Sequence, residues 1–182
     1  MKISNGKRKS NLDVLITEEK LQSRIREIAA KINKDYEGKE PTIVGVLKGS
    51  FIFMADLIRQ IPIPLSCDFI RVSSYDNRKE PNGTVRIEFD ITQSIKGKDV
   101  ILVEDIVDTG STVKFLIDTI LAKKPKSLKI CALLKKAARG VADVDVDYLG
   151  FTIPNVFVAG YGLDYAGKYR NLPYLAAFKN KG

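Results

Sequence analysis

Residues 100–112 read VILVEDIVDTGST. Val100 to Val103 form a continuous apolar run, the pattern of a strand buried on both faces. Such a strand delivers Glu104 and Asp105 to its exit. Asp108, Thr109, Gly110, Ser111 and Thr112 then lead into the helical VKFLIDTILAKK, which Pro125 ends. Small hydroxyl residues and a glycine at a helix N-terminus leave several backbone N–H groups exposed, which suits a phosphate monoester. The two acids cannot serve a phosphate. They suit a cis-diol, each carboxylate accepting from a hydroxyl, or a divalent cation. A phosphate at one end and sugar hydroxyls at the other describe a cradle for a ribose 5-phosphate.

The flanking sequence repeats the strand–helix alternation. Leu21, Ile25, Ile28, Ile32 and Tyr36 recur at helical spacing over residues 18–36, with Thr17 as N-cap and Glu18 and Glu19 at the positive end. Pro41 opens the strand-like TIVGVL. KGS follows, then FIFMADLIRQ, apolar enough for a core helix. LSCDFIRVSSY reads as a strand, DNRKEPNGT as a polar loop, and VRIEFD as one arm of a hairpin. SLKICALL is a further core strand, and DVDVDYLGF and NVFVAGY are strand candidates. The alternation predicts an α/β fold, a central parallel sheet flanked by helices on both faces, with ligands at the carboxyl ends of the strands.

Composition excludes several chemistries. The chain has 182 residues, one domain's worth, and no histidine. Ser-His-Asp and Cys-His catalysis, HExxH zinc chemistry and histidine proton shuttles are therefore ruled out. With two cysteines and no histidine, a zinc site built from four Cys and His ligands cannot be assembled in one chain. Proton chemistry must use Asp, Glu, Lys or Tyr, and a metal would be a hard, oxygen-loving ion. Cys67 and Cys131 lie in apolar runs and are expected as buried free thiols in a reducing compartment. The N-terminal MKISNGKRKSNLDV has no apolar core of a signal peptide, and no 18-residue apolar stretch exists, so a cytoplasmic location is expected.

Net charge is +8, with basic clusters at Lys7, Arg8 and Lys9, at Lys123, Lys124 and Lys126, and at Lys135, Lys136 and Arg139. A solvated basic surface, a polyanionic small substrate and a nucleic acid all fit, and charge alone does not choose. Asp143, Asp145 and Asp147 are no calcium loop, because position six would be Tyr148 and position twelve Pro154. VGVLKGS lacks the GK[ST] of a phosphate-binding P-loop, although Lys48 and Gly49 could hold an anion through an ammonium and exposed amides. Gly160 and Gly162 lack a third glycine at position 165, so the dinucleotide fingerprint fails.

Residues 100–112 resemble the phosphoribosyl pyrophosphate signature of type I phosphoribosyltransferases. GVLKGS at 45–50, VSSY at 72–75, LLKKAAR at 133–139, VFVAGYGLDY at 156–165 and YRNLPY at 169–174 are similar to the hypoxanthine-guanine branch, in the family's order over nearly the whole chain. The resemblance implies the type I fold: a single domain, 1–182, with a core over about 18–135 and a hood built from 1–17 and 136–182. It implies transfer of a phosphoribosyl group to hypoxanthine or guanine with Mg²⁺, and a homodimer or homotetramer.

It also implies residue roles. Glu104, Asp105, Asp108, Thr109, Gly110, Ser111 and Thr112 hold the phosphoribosyl group, and Asp108 is the general base. Lys48, Gly49, Arg139 and Arg170 grip pyrophosphate, with the Leu47–Lys48 peptide commonly cis. Lys136 donates to the purine's O6, Phe157 stacks on its face, and Val158 meets its edge through backbone. Asp164 completes the base side and holds a second magnesium, the first lying at Glu104 and Asp105. Ser73, Ser74 and Tyr75 form a lid. Two departures from the family's pattern stand out: Ala137 and Ala138 replace the usual Pro, Ser or Thr, and the lid loop DNRKEPNG is poor in Ser and Gly. An RNA-binding regulator on the same scaffold and a xanthine-preferring variant are the alternatives.

Overall fold

The computed structural model describes residues 12–75, 84–137 and 144–178. Its elements run β1 (Leu12–Ile16), α1 (Glu18–Asp35), β2 (Thr42–Leu47), α2 (Phe51–Ile58), β3 (Ser66–Tyr75), β4 (Thr84–Phe89) and β5 (Asp99–Val107). There follow α3 (Ser111–Ala122), β6 (Ser127–Lys136), β7 (Tyr148–Ile153), β8 (Val158–Ala159) and β9 (Leu175–Phe178). Six strands form one sheet in the order β4-β3-β2-β5-β6-β7, and three form a second in the order β1-β9-β8. The large sheet is parallel from β3 to β7, and β4 is its antiparallel edge.

The strands bury both faces because successive side chains alternate across the pleat. Ile43, Ile101, Val103, Cys131 and Leu133 pack with α1 and α2 residues such as Leu21, Ile25, Phe53 and Leu57. Their neighbours Val44, Val100, Leu102, Ile130 and Ala132 pack with Val113, Leu116 and Ile120 of α3 on the other side. α1 starts where the sequence placed it: the Thr17 side chain accepts from Lys20 N at 3.4 Å, and Glu18 and Glu19 sit in the first turn.

The structure differs from the sequence reading in four places. β5 does not stop at Val103 but continues to Val107, because its ladder with β6 runs on through Ile106↔Leu134 and Val107↔Lys135. Glu104 and Asp105 thus lie inside a strand rather than past its exit. Cys67 is exposed, while Cys131 is buried. β4 pairs with β3 only from Arg71 onward, which leaves the first half of β3 an uncovered edge. β7 belongs to the large sheet, so the small sheet takes its C-terminal strands from residue 158 on, not from 136. β1 and β9 were not legible as strands: LDVLI and LAAF are short and lack a clean alternation, and they exist by pairing with each other.

Candidate active site

The carboxyl ends of β2, β5 and β6 open on one edge of the large sheet, where each strand hands the chain to a loop. β2 leads into Lys48–Gly49–Ser50, β5 into Asp108–Thr109–Gly110, and β6 ends on Lys136. The Leu47–Lys48 peptide is cis. The turn after β8, residues 160–164, folds over this edge from the small sheet.

Two adjoining cavities occupy the edge. The first, about 160 Å³, is lined by Glu104, Ile106, Asp108, Thr109, Gly110, Thr112 and Val113. Gly110 precedes α3 with φ +79, and no side chain caps that helix. First-turn N–H groups are therefore left without an intrahelical or capping partner, and the dipole favours an anion there. Thr109 donates its hydroxyl to Ser111 at 3.3 Å, keeping both hydroxyls at the same mouth.

The second cavity, about 220 Å³, is lined by Asp105, Ile106, Asp108, Lys136, Phe157, Val158, Leu163, Asp164 and Arg170. Seven of these nine were singled out in the sequence. Ile106 and Leu163 were not, because an apolar residue beside a charged motif carries no signal of its own. Asp108 and Ile106 belong to both cavities. Lys136 donates from Nζ to Asp108 Oδ2 at 2.7 Å. The lysine side chain is 12% exposed and the aspartate 55%, so a partly buried cation meets a reachable carboxylate. Phe157 precedes β8 and stays half-exposed, met edge-on by Tyr165 and Phe178 at centroid distances of 5.5 and 5.7 Å.

Arg170 and Asp164 are also a pair. Arg170 Nη2 donates to Asp164 Oδ1, Arg170 Nη1 donates to the Gly162 carbonyl at 2.6 Å, and Gly167 N donates to Asp164 Oδ2 at 2.8 Å. Glu104 is buried, and its Oε2 has no hydrogen-bond partner. Burial pushes its carboxyl well above the usual range, and the adjacent Asp105 carboxylate adds to the rise. Ile106 N donates to Asp105 Oδ1 at 2.8 Å, and Asp105 Oδ2 lies over Gly49.

Glycine is required twice. A Cβ on Gly49 would stand 1.4 Å from Asp105 Oδ2, and a Cβ on Gly162 would stand 2.1 Å from the Gly49 carbonyl oxygen. The loop after β2, the acidic pair and the 160–164 turn are thus stacked with no side chain between them. Lys48 is exposed at the rim. Ser73, Ser74 and Tyr75 are the last residues of β3, their backbones paired with Arg86, Val85 and Thr84 of β4. The loop beyond them, residues 76–83, and Arg139 lie outside the described residues. Of the three aspartates excluded as a calcium loop, Asp147 accepts from Ile130 N at 2.8 Å, a structural bond.

The arrangement can hold an anion at the α3 N-terminus, hydroxyls or a cation at Glu104 and Asp105, and a flat polar ring between Phe157, Leu163 and Lys136. Asp108 stands where the two compartments meet.

Residues 15–166 match the phosphoribosyl transferase domain. The chain is 45% identical over 166 residues to the hypoxanthine-guanine phosphoribosyltransferase of Bacillus subtilis, covering 91% of this chain and 92% of that protein. It is 47% identical over 166 residues to the bifunctional protein TilS/HprT of Listeria monocytogenes, where it spans 26% of the relative's length. A crystal structure of a hypoxanthine phosphoribosyltransferase from Staphylococcus aureus superposes with a TM-score of 0.90 at 46% identity, covering 97% of each chain.

Proposed function

The chain belongs to the phosphoribosyl transferase family, and on that premise we propose a purine salvage enzyme. It transfers the 5-phosphoribosyl group from phosphoribosyl pyrophosphate to hypoxanthine or guanine, giving IMP or GMP and pyrophosphate. The carrying observation is that a phosphate-suited helix N-terminus and an aromatic-walled cavity meet at Asp108, whose carboxylate already holds Lys136 at 2.7 Å.

The purine's N9 attacks C1′ from the face opposite the leaving group, so the C1′–O bond breaks with inversion. Amides and hydroxyls from Thr109 to Thr112 hold the 5-phosphate, and Glu104 and Asp105 accept from the ribose hydroxyls. Asp108 takes the N7 proton as positive charge builds on the ring, a task that falls to a carboxylate in a chain without histidine. Lys136 donates to O6. An ammonium has donors only, so it accepts a 6-oxo group and rejects adenine's amino group. Phe157 and Leu163 sandwich the base, and Val158 meets its edge. Lys48, Gly49, Arg139 and Arg170 stabilise the departing pyrophosphate, while Ser73, Ser74 and Tyr75 form the base of a lid that excludes water.

Magnesium fits this site. The buried, unpartnered Oε2 of Glu104 and the neighbouring Asp105 supply hard oxygens on one side, and Asp164 supplies a second position beside Arg170. Glu104, Asp105 and Asp164 would hold it through single carboxylates, with water and substrate oxygens as its other ligands, the usual arrangement for this ion. When bound, it neutralises charge on the leaving pyrophosphate.

We also assign the protein to the cytoplasm as a homodimer or homotetramer formed from one domain, 1–182, in which the small sheet is the hood. Among the described residues no helix is long and apolar enough to cross a membrane. The test is nucleotide formation from phosphoribosyl pyrophosphate with hypoxanthine, guanine, xanthine and adenine in turn. Turnover with 6-oxopurines and none with adenine is expected. No turnover with any 6-oxopurine, alongside salt-sensitive retention of RNA, would move the chain to the regulatory reading.

A further inference from the structure

Tyr161 lies on the turn that closes over the site, yet its side chain leaves the site altogether. The residue is 3% exposed and adopts φ +48, a conformation that residues with a side chain hold only when their surroundings over-determine it. Its backbone N donates to the Leu172 carbonyl at 2.9 Å, and the next amide, Gly162 N, donates to the Arg170 carbonyl at 3.0 Å. Its hydroxyl runs down to α2 and donates to Asp56 Oδ2 at 2.5 Å. Gln22 of α1 donates from Nε2 to the same oxygen at 2.8 Å and stands 3.5 Å from the tyrosine hydroxyl. Arg59 pairs with the other carboxylate oxygen.

This network joins two halves of the site that no sheet connects. α2 begins at Phe51, directly after the Lys48–Gly49–Ser50 loop, and Ser50 anchors that loop by donating its hydroxyl to the Val46 carbonyl at 2.7 Å. The 160–164 turn carries Asp164 and is bonded to Arg170. Gly162 packs on the Gly49 carbonyl with no room for a Cβ. The glycine contact sets how closely loop and turn approach. The Tyr161–Asp56–Gln22 network sets the height at which they meet.

We propose that Tyr161, acting through Asp56, is a positioning residue that fixes the pyrophosphate-binding loop against the Asp164–Arg170 turn. The inference rests on the phosphoribosyltransferase reading of the site. It assigns the network to the pyrophosphate side of the site: the Lys48–Gly49 loop and Arg170 are assigned to the pyrophosphate, Leu163 and Asp164 of the same turn line the base cavity, and the α3 cradle for the sugar phosphate lies on another element and does not depend on it.

The structure supplies a matched control. Tyr148, also buried, donates to Asp35 Oδ2 at 2.6 Å at the opposite, amino-terminal end of the large sheet. Tyr161→Phe should raise the KM for phosphoribosyl pyrophosphate, and the inhibition constant of pyrophosphate, roughly tenfold. The dissociation constant of ribose 5-phosphate, which carries neither pyrophosphate nor base, should stay within about twofold. Asp56→Asn, which keeps an oxygen to accept from Tyr161, should retain most of the wild-type KM, whereas Asp56→Leu should behave like Tyr161→Phe. Tyr148→Phe should leave all three constants unchanged.

An equal loss across pyrophosphate and ribose 5-phosphate, or wild-type constants in a folded Tyr161→Phe, would overturn the inference while leaving the proposed function intact. Should Tyr161→Phe not fold, the Asp56 pair decides on the same constants. A wild-type protein without turnover would remove the proposed function and this inference together.

Discussion

Gly49 sits between the Asp105 carboxylate, 1.4 Å from where its Cβ would be, and the Cα of Gly162, which rests on its carbonyl. Gly49→Ala must push the carboxylate aside or lift the loop, and either displaces groups that the proposed function assigns to one substrate. A misplacement of about 1 Å costs on the order of 10²-fold in rate. Steady-state kinetics of Gly49→Ala should therefore show kcat/KM for phosphoribosyl pyrophosphate lowered by roughly that factor, with a folded circular dichroism spectrum. Lys136 is the second residue whose chemistry is separable. Lys136→Met removes a donor held at 2.7 Å from Asp108. The preference for hypoxanthine over adenine should narrow by roughly two orders of magnitude, measured as the ratio of the two kcat/KM values. An unchanged ratio would show that the base is read elsewhere.

At the scale of the element, α3 suits the proposed phosphate site because its N-terminus is left uncapped by any side chain and is entered through a left-handed glycine. Gly110 at φ +79 needs no Cβ, and an alanine there pays about 1–2 kcal/mol in strain. Gly110→Ala should therefore unfold at a lower temperature in buffer alone. It should also respond less to ribose 5-phosphate, because stabilisation by a ligand follows its affinity for the folded state and reaches about 2.7 kcal/mol at a hundredfold excess over Kd. Thermal scans with and without the sugar phosphate separate the two effects. Equal ligand-induced shifts in both proteins would remove α3 from phosphate binding. β5 makes the complementary point. By running on to Val107 it holds Glu104 inside the sheet, where burial raises the carboxyl and leaves Oε2 without a donor.

Over the whole molecule, paired carboxylates set the acid limit. Asp35 is held below its ordinary value of 3.8, chiefly by the Tyr148 hydroxyl and also by Lys129. Ser127 does the same for Asp99, helped by Lys126. For Asp56 and Asp68 burial pulls upward, but hydrogen bonds outweigh it. Asp56 accepts from Tyr161, Gln22 and Arg59, and Asp68 from Phe69, Thr92 and Gln93. A carboxylate with a lowered folded-state pKa contributes stability that is complete above its unfolded value and lost as pH falls through the folded one. The urea midpoint should therefore fall progressively below about pH 4, while Glu104, whose carboxyl burial raises, acts in the opposite sense and lowers stability as pH climbs above its unfolded value. Asp68→Asn should flatten that descent. A midpoint that stays level down to pH 3 would contradict the assignment.

Much of this was legible in the chain itself. The α1 stripe, the doubly buried runs of β2, β5 and β6, and the hydroxyl-rich turn into α3 are local patterns, and the local physics of burial and capping produced them as read. Other features depend on neighbours distant in sequence, and only the tertiary structure decided them. The length of β5 was set by its ladder with β6, and the exposure of Cys67 by what packs around β3. β1 and β9 arose from strands too short to stand alone. The Ile106 and Leu163 walls and the Tyr161–Asp56 tie have no sequence signature, because an apolar or tyrosine side chain gains its role from what it touches. A pattern within one segment fixes which face that segment buries. Which groups then meet across the site is settled by packing, where residues more than a hundred positions apart come within hydrogen-bonding distance.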